Sequence, residues 1–579
     1  MKFSALALDY DGTIAGSGGI DPAVRAAIAD ARQHGIVVVL VTGRRLPDLR
    51  RAAGNLSCFD VVVAENGAVL EFPSSGRHVQ LAHAPNETVL AEFARRRIDV
   101  VVGESVVEAD ATLAVPILDV IRRLEQPLIL AFNRSRLMIL PQAVAKSTGL
   151  RQALRALRVS IHNAVGIGDA ENDHDLLDAC EVGVAVEWGS PALRAVADEI
   201  IRGTGPAAVA DYITRIVGQP RLSAAQMGRR RLFLGHQLDG QPVSLAVRGR
   251  TMIVAGEPGT GKSWLAGLLC EQLILQGYCV CILDPEGDYR SLEALPSVIV
   301  LGGDDPPPSP RDLEQALRYS DVSVIVDLSK VAHQEKIEYL SSLLPMLIQL
   351  RRRTGLPHKI LLDEAHYFLG TGKAHLLDPE LAGYILVTYR VSALDPSIRA
   401  TSDAVVMVTR ETTGQEAEAL CEMCRAGRVL APAPEIFRDL QATEAALLPG
   451  SEEAHGEVRR FQLAPRLTGH VRHRTKYLDM PIRHSQAFVF TQDGGSGPRA
   501  HTLRAFMGLL AALPAEALRG HLVRHDFSTW IEEVFRDRSL AAHVLDLEER
   551  AETFGVQNAT DAIAQAIRAR YDVTDDTNV

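Results

Sequence analysis

Unbroken runs of hydrophobic residues, most stopping at a glycine or an acid, recur along the chain and alternate with stretches of helical spacing. Phe3 to Leu8, Ile36 to Val41 and Asn163 to Gly168 are three such runs, and Thr251 to Ala255, Tyr278 to Leu283, Val322 to Asp327, Lys359 to Leu362 and Tyr384 to Thr388 are five more. Short runs without polar alternation predict strands covered on both faces, as in a parallel sheet. Helical spacing falls between them, as in Lys336 to Arg353. The pattern predicts an α/β architecture. Two stretches depart from it. Residues 83–140 mix helix-like Glu87 to Ala94 with strand-like Leu128 to Phe132, and Leu503 to Leu510, His525 to Phe535 and Asp561 to Tyr571 are helical in spacing throughout.

A chain of 579 residues exceeds what one hydrophobic core organises. Polar, basic 219–231 and acidic 451–457 are the breaks expected of linkers. The expected division is therefore 1–218, with 83–140 as an insertion, then 232–450, then a small α-rich domain over 466–579. No apolar run reaches the ~18 residues of a membrane span, and Asp9 cuts the first run too early for a signal peptide. Seven cysteines scattered through the chain argue against a disulfide framework. The expected location is the cytoplasm. Cys421 and Cys424 lack a second pair for zinc, and Cys279 and Cys281 alternate inside a strand as core residues. A net charge of -11 does not decide for or against a nucleic-acid partner, because a local basic stripe suffices.

The most specific chemical signal is Gly256-Glu257-Pro258-Gly259-Thr260-Gly261-Lys262-Ser263, lying between a strand-like and a helix-like run. Gly256, Gly259, Thr260 and Gly261 would let backbone N–H groups curl around the phosphates of ATP. Lys262 would reach the β and γ phosphates, and the Ser263 hydroxyl would ligate Mg²⁺. About one hundred residues on, a strand ends in Asp363-Glu364. There Asp363 would hold the Mg²⁺ shell and Glu364 would polarise the attacking water.

Three strands of the first domain also end in polar chemistry: Asp9-Tyr10-Asp11-Gly12-Thr13, Thr42-Gly43-Arg44 and Asp169-Ala-Glu-Asn-Asp173, with Lys146 before the last. Acids two residues apart point to one side of a strand, and paired carboxylates suit a hard cation and a carboxylate nucleophile. Four such motifs in this order resemble the haloacid dehalogenase superfamily. That resemblance implies a Rossmann-like fold in which Asp9 attacks a phosphoryl group and Asp11 acts as acid and base. It has Thr42 and Lys146 hold the phosphoryl oxygens, and Asp9, Asp11, Asp169 and Asp173 organise Mg²⁺. The insertion is similar to the cap of Cof-type sugar phosphatases, though short, and the partner would be a phosphorylated substrate.

Leu-Gly-x-x-Leu-Asp-Gly from Leu234, Asp284-Pro-Glu-Gly-Asp-Tyr289, Val326-Asp-Leu-Ser329 and Asp363-Glu-Ala-His366 resemble the HerA branch of RecA-like, FtsK-related ATPases. The resemblance implies a homo-oligomeric ring, a hexamer, that moves DNA or occasionally peptide. In that family the region of Arg390 and Arg399 faces a neighbour's nucleotide, so Arg390 is the first candidate for a catalytic arginine finger. Thr388-Tyr389-Arg390 stands where many members have Thr-Gln-Arg, and the phosphatase-like domain replaces their N-terminal barrel. A platform in which ATP gates the phosphatase without translocation is the alternative. Arg466, Arg472, Arg474, Lys476 and Arg483 with His470, His473 and His484 form a basic stretch, either a phosphate or nucleic-acid contact or a solvated face.

Overall fold

The computed structural model describes residues 3–16, 19–133, 135–218, 229–247, 251–256, 260–400, 402, 404–407, 414–426, 440, 443–448, 458–469, 482, 484, 486–492, 495–535 and 537–571. The chain forms two compact units, Met1–Pro285 with Tyr289–Gly469, and Glu286–Asp288 with His470–Val579. Most of the basic histidine-rich stretch, including Arg472, His473, Arg474, Lys476 and Arg483, lies outside the described residues, as does Gly259.

The first unit contains two α/β sheets. In the first, Ala5–Asp9 sits between Ala164–Gly168 and Val37–Val41 and pairs parallel with both, Leu6 lying opposite Val165 and Val38. All five residues of Ala5–Asp9 are buried, because helices cover both faces of a parallel sheet and leave no polar face to the strand. Val61–Ala64 follows Val37–Val41 in the sheet. The parallel register puts the C-terminal ends of these strands side by side, so Asp9, Thr42, Glu65 and Asp169 emerge along one edge, where open α/β sheets bind ligands.

The insertion combines helices with a sheet of its own. A four-stranded antiparallel sheet contains Leu128–Asn133, Arg136–Pro141, Val107–Asp110 and Val101–Val102 in that order. Strand alternation divides its faces. Leu137, Ile139 and Val107 pack with Val89, Phe93, Ile117 and Val120 of the helices Glu87–Arg95 and Ala114–Arg123, whereas Met138 and Leu140 join the core of the first sheet.

In the second sheet the phosphate-loop strand Met252–Ala255 lies between Tyr384–Thr388 and Ala404–Met407. Lys359–Leu362, Val280–Asp284, Ser323–Asp327 and Val298–Gly302 continue it in parallel beyond Tyr384–Thr388. Arg231–His236 pairs with Pro242–Ala246 as a hairpin that extends the sheet on its antiparallel side.

The two sheets are joined through the N-terminal ends of their strands. His162, just before Ala164–Gly168, stacks on Tyr278, just before Val280–Asp284, with ring centroids 3.9 Å apart. Its Nδ1 lies 2.9 Å from Glu181 Oε2 and its Nε2 2.9 Å from the Gln276 carbonyl oxygen. The Tyr278 hydroxyl donates to the same Glu181 carboxylate at 2.8 Å. His358, just before Lys359–Leu362, packs its ring edge on Tyr278 and accepts the Cys279 N–H at 2.8 Å. Asp9, Asp169 and Asp363 stand at the opposite, C-terminal ends of their strands, away from this seam.

The second unit buries Phe488, Phe490, Phe506, Phe527 and Trp530 in one aromatic core. Leu503–Ala512 and Val556–Tyr571 confirm the helical spacing. The hairpin Phe488–Gln492 with Gly495–Ala500 is an addition to it. Phe527, Trp530 and Phe535 are core residues.

Candidate functional site

Asp9, the last residue of its strand, Asp169, the first after its own, and Asp173 bring carboxylate oxygens within 4.8 Å of one another, all three buried. Asp169 reaches this position because Gly12, at φ +78°, presents no side chain. A Cβ there would lie 2.2 Å from Asp169 Oδ2. Lys146 opens the helix Lys146–Ala156 and bridges the cluster, with Nζ 2.6 Å from Asp9 Oδ1 and 2.5 Å from Asp173 Oδ1. Asp173 Oδ2 accepts the N–H groups of Asp169 and Ala170, both at 3.0 Å. One side of that carboxylate is fixed by backbone and the other by lysine.

Burial raises the Asp9 carboxyl well above the ordinary carboxylate range, with Asp173 and Asp169 adding to the rise and Lys146 opposing it. For Lys146 burial works in the other direction, yet the Asp173 and Asp9 carboxylates outweigh it and hold the ammonium above the ordinary lysine value. Three hard oxygen donors converging in a buried site with an excess of negative charge fit Mg²⁺. Thr42 is buried beside them. Its Oγ1 accepts the Arg44 N–H at 3.1 Å, which leaves the hydroxyl proton for a phosphoryl oxygen.

Asp11 is not brought into this cluster. Strand alternation was expected to point it alongside Asp9, but the strand ends at Asp9 and Asp11 lies on the turn beyond. Its carboxylate takes two hydrogen bonds from Arg44, at 2.7 and 2.6 Å. Of the four acids assigned to the metal, the geometry gathers Asp9, Asp169 and Asp173, and leaves the Asp11 side chain as a half-exposed ion pair.

The second constellation lies on the carboxyl edge of the second sheet. Gly261, at φ +104°, caps the helix Lys262–Leu275, and Thr260, Lys262 and Ser263 are buried. The Gly256 N–H donates to the Thr388 carbonyl at 3.3 Å, tying the loop to the neighbouring strand. Asp363 is fully buried and accepts the Glu364 N–H at 2.9 Å. Glu364 is itself buried and left-handed, at φ +48°. The carboxylate of Asp363 and hydroxyl of Ser263 are the oxygen donors that an ATP-bound Mg²⁺ requires.

Sequence reasoning assigned no role to His366, although it closes the Asp-Glu-Ala-His motif. Its Nδ1 lies 3.6 Å from Glu364 Oε2 and 3.1 Å from Thr388 Oγ1, and that oxygen accepts the Arg390 N–H at 3.0 Å. The acid strand and the strand carrying Arg390 are thereby linked through one ring. Arg390 is exposed, with its guanidinium 5.3 Å from the Tyr389 ring centroid. Arg399 is largely covered and lies 3.6 Å from Glu422.

Cys421 is a buried core residue, and the Cys424 side chain lies outside the described residues. Cys279 and Cys281 are fully buried, as their alternation indicated. Among the described residues no helix is long and apolar enough to cross a membrane.

Residues 6–94 and 115–213 match the haloacid dehalogenase-like hydrolase family, and residues 232–351 match the central domain of helicase HerA. A phosphoglycolate phosphatase of Methanothermobacter thermautotrophicus is 26% identical over 222 residues, covering 37% of this chain and 99% of the relative. Another, of Archaeoglobus fulgidus, is 27% identical over 211 residues, 34% of this chain and 90% of the relative. The crystal structure of a haloacid dehalogenase-like hydrolase from Bacteroides thetaiotaomicron shares 21% identity and a TM-score of 0.33, covering 37% of this chain and all of that one.

Proposed function

We propose that this chain, which joins a haloacid dehalogenase-like phosphohydrolase domain to a HerA-type P-loop ATPase domain, is a Mg²⁺-dependent phosphatase coupled to a ring-forming motor on nucleic acid. The observation that carries the phosphatase half is the buried Asp9–Lys146–Asp173 bridge beside Asp169. Asp9 attacks the phosphorus, the ester oxygen leaves with a proton, and water then releases phosphate from the aspartyl-phosphate. Lys146 and the Thr42 hydroxyl hold the phosphoryl oxygens as charge develops on them. Asp11 delivers the proton to the leaving oxygen and recovers it from water, for which its carboxylate exchanges Arg44 for the substrate. Bound Mg²⁺, held by Asp9, Asp169 and Asp173, supplies positive charge that favours the ionised nucleophile.

The curated relatives suggest a small phosphorylated acid such as 2-phosphoglycolate as substrate. The apposition of Met138 of the cap to Gly43, where a Cβ would lie 3.2 Å from Met138 Sδ, supports a confined pocket. Turnover of 2-phosphoglycolate and of phosphorylated nucleic-acid ends by the full chain, with Asp9→Asn alongside, tests this reading. The amide cannot form the acyl phosphate, so the variant should lose several powers of ten in rate, at ~1.4 kcal/mol each. Near-normal release of phosphate by Asp9→Asn would remove it from the mechanism.

In the ATPase half, Lys262 and the loop amides hold ATP and Glu364 orients water. Arg390, exposed beside Thr388, reaches a neighbour's nucleotide in a ring, a hexamer by family resemblance. The seam at His162, Tyr278 and His358 favours a second reading, in which the ATPase is a platform whose nucleotide state regulates the phosphatase, because it packs the two domains through the very strands that carry their acids. DNA distinguishes the readings. A motor hydrolyses ATP faster on DNA, whereas a platform shows ATP-dependent phosphatase rates and no response to DNA.

A further inference from the structure

The strand Val61–Ala64 ends in Glu65-Asn66-Gly67, and all three residues are left-handed, at φ +49°, +55° and +107°. Such a conformation costs about 1 kcal/mol or more for each residue with a side chain, so three contacts hold it in place. The Glu65 and Asn66 N–H groups donate to the Arg44 and Thr42 carbonyls, both at 3.0 Å, fastening the turn to the loop expected to hold phosphate. Gly67 lies against the start of the Lys146 helix, where a Cβ would sit 1.9 Å from the Ala145 carbonyl oxygen. The third contact is the Glu65 carboxylate. Oε1 accepts the Glu104 N–H at 2.9 Å, and Oε2 accepts those of Ser105 and Val106 at 2.8 and 3.1 Å.

Those three amides lead directly into the cap strand Val107–Asp110, whose Glu108 pairs in register with Met138. Glu65 is fully buried, and among the described residues no lysine or arginine forms an ion pair with it. Three backbone dipoles therefore stand in for a counter-ion. The approach is so close that a Cβ on Gly103 would fall 2.8 Å from the carboxylate oxygens. One side chain thus joins the cap to the turn that also braces Thr42 and Lys146.

We infer that Glu65 is the latch of the cap: a positioning residue whose carboxylate grips the Glu104–Val106 amides and holds the cap's inner face over the phosphoryl site. Substrate binding, more than the chemical step, depends on it. Three donors require an acceptor at every point of contact. Glutamine turns part of that acceptor into a donor facing an N–H, and alanine leaves three buried amides without their partner.

The consequence for catalysis rests on the phosphatase reading, whereas the latch itself does not, and one experiment separates them. Glu65→Gln and Glu65→Ala in the full chain are followed by amide hydrogen exchange over 103–110 and by steady-state kinetics with 2-phosphoglycolate and p-nitrophenyl phosphate. Exchange at 104–106 should accelerate by about 10- to 100-fold in both variants. KM for a hydrolysed substrate should rise about tenfold while kcat falls less than about threefold, with glutamine behaving like alanine despite its size. Damage to the fold would instead lower kcat and leave KM in place. Unchanged exchange in a folded variant, or a fall in kcat at constant KM, overturns the latch. If Glu65→Ala does not fold, Glu65→Gln decides both arms. If the parent hydrolyses neither ester the phosphatase reading fails, and the exchange result alone still decides the latch.

Discussion

Replacing Lys146 by methionine tests the centre of the phosphatase site, because it keeps a long apolar stem and deletes only the ammonium. The parent ammonium holds Asp9 at 2.6 Å and Asp173 at 2.5 Å, with side chains 1%, 5% and 0% exposed respectively. Breaking a buried ion pair from one side costs about 3 to 5 kcal/mol. The lower end applies here, because Asp173 keeps two backbone N–H bonds on its other oxygen and the raised Asp9 carboxyl can escape by taking up a proton. At about 3 kcal/mol the phosphatase-domain transition should fall by roughly 6–12 °C, using the scale for domains of 150–250 residues. Saturating Mg²⁺ should recover part of the loss by binding only the folded cluster. Turnover should fall further than stability alone explains, by about 10² to 10³, as when a donor to a developing oxyanion is removed. Differential scanning fluorimetry with EDTA and with Mg²⁺, beside phosphate release at saturating substrate, reads both effects. Parental turnover, or a transition within about 1 °C of the parent in EDTA, would refute the bridge as the organiser of this site.

Glu364→Gln should bind ATP and hydrolyse it about 10² to 10³ times more slowly, checked by filter binding and phosphate release, since the amide cannot polarise water. Lys262→Ala mixed with Arg390→Ala should regain part of the ATPase activity that each lacks alone, as mixed rings reunite an intact loop with an intact arginine; no rescue despite proven subunit exchange counts against trans catalysis. Cys180, Cys270 and Cys281, whose thiols burial pushes up to about 12, should resist iodoacetamide in the folded protein at pH 8, where about one in 10⁴ is thiolate, while half-buried Cys58 reacts first in mass-spectrometric mapping. Burial also raises the Glu548 carboxyl above its ordinary 4.5 despite bonds from Ser528 and Phe527. Its folded value therefore exceeds the unfolded one, and its contribution is complete below about pH 4.5 and lost as pH rises through the raised value. Glu548→Gln should flatten that part of the second unit's stability profile, measured by thermal unfolding across pH.

Much of the architecture could be read from the chain because its signals are local. A run such as Ile36 to Val41 forms a buried strand wherever it lies in an α/β sheet, and a motif at its end is carried to the carboxyl edge by the strand itself. Gly261 and Lys262 needed only the adjoining strand and helix to stand out as a candidate phosphate loop. The same local logic failed at Asp11, where the strand stopped two residues early and Arg44 captured the carboxylate. It was silent about Glu65, which in sequence is an acid before a turn; its place directly after a buried strand, like that of Asp363, was the available signal.

What the sequence could not contain is which distant residues share a buried charge. Lys146 meets Asp9 across 137 positions and Asp173 across 27, the His162 ring reaches the Gln276 carbonyl across 114, and Glu65 finds its amides about 40 residues on, within the cap. Each of these groups loses its hydration on folding and must recover it from whatever the packed sheets and cap bring within 3 Å. Strand patterns and motifs fixed the chemistry offered at each sheet edge, but only the closing of strands, helices and cap on one another chose the partners that turn those offers into a site.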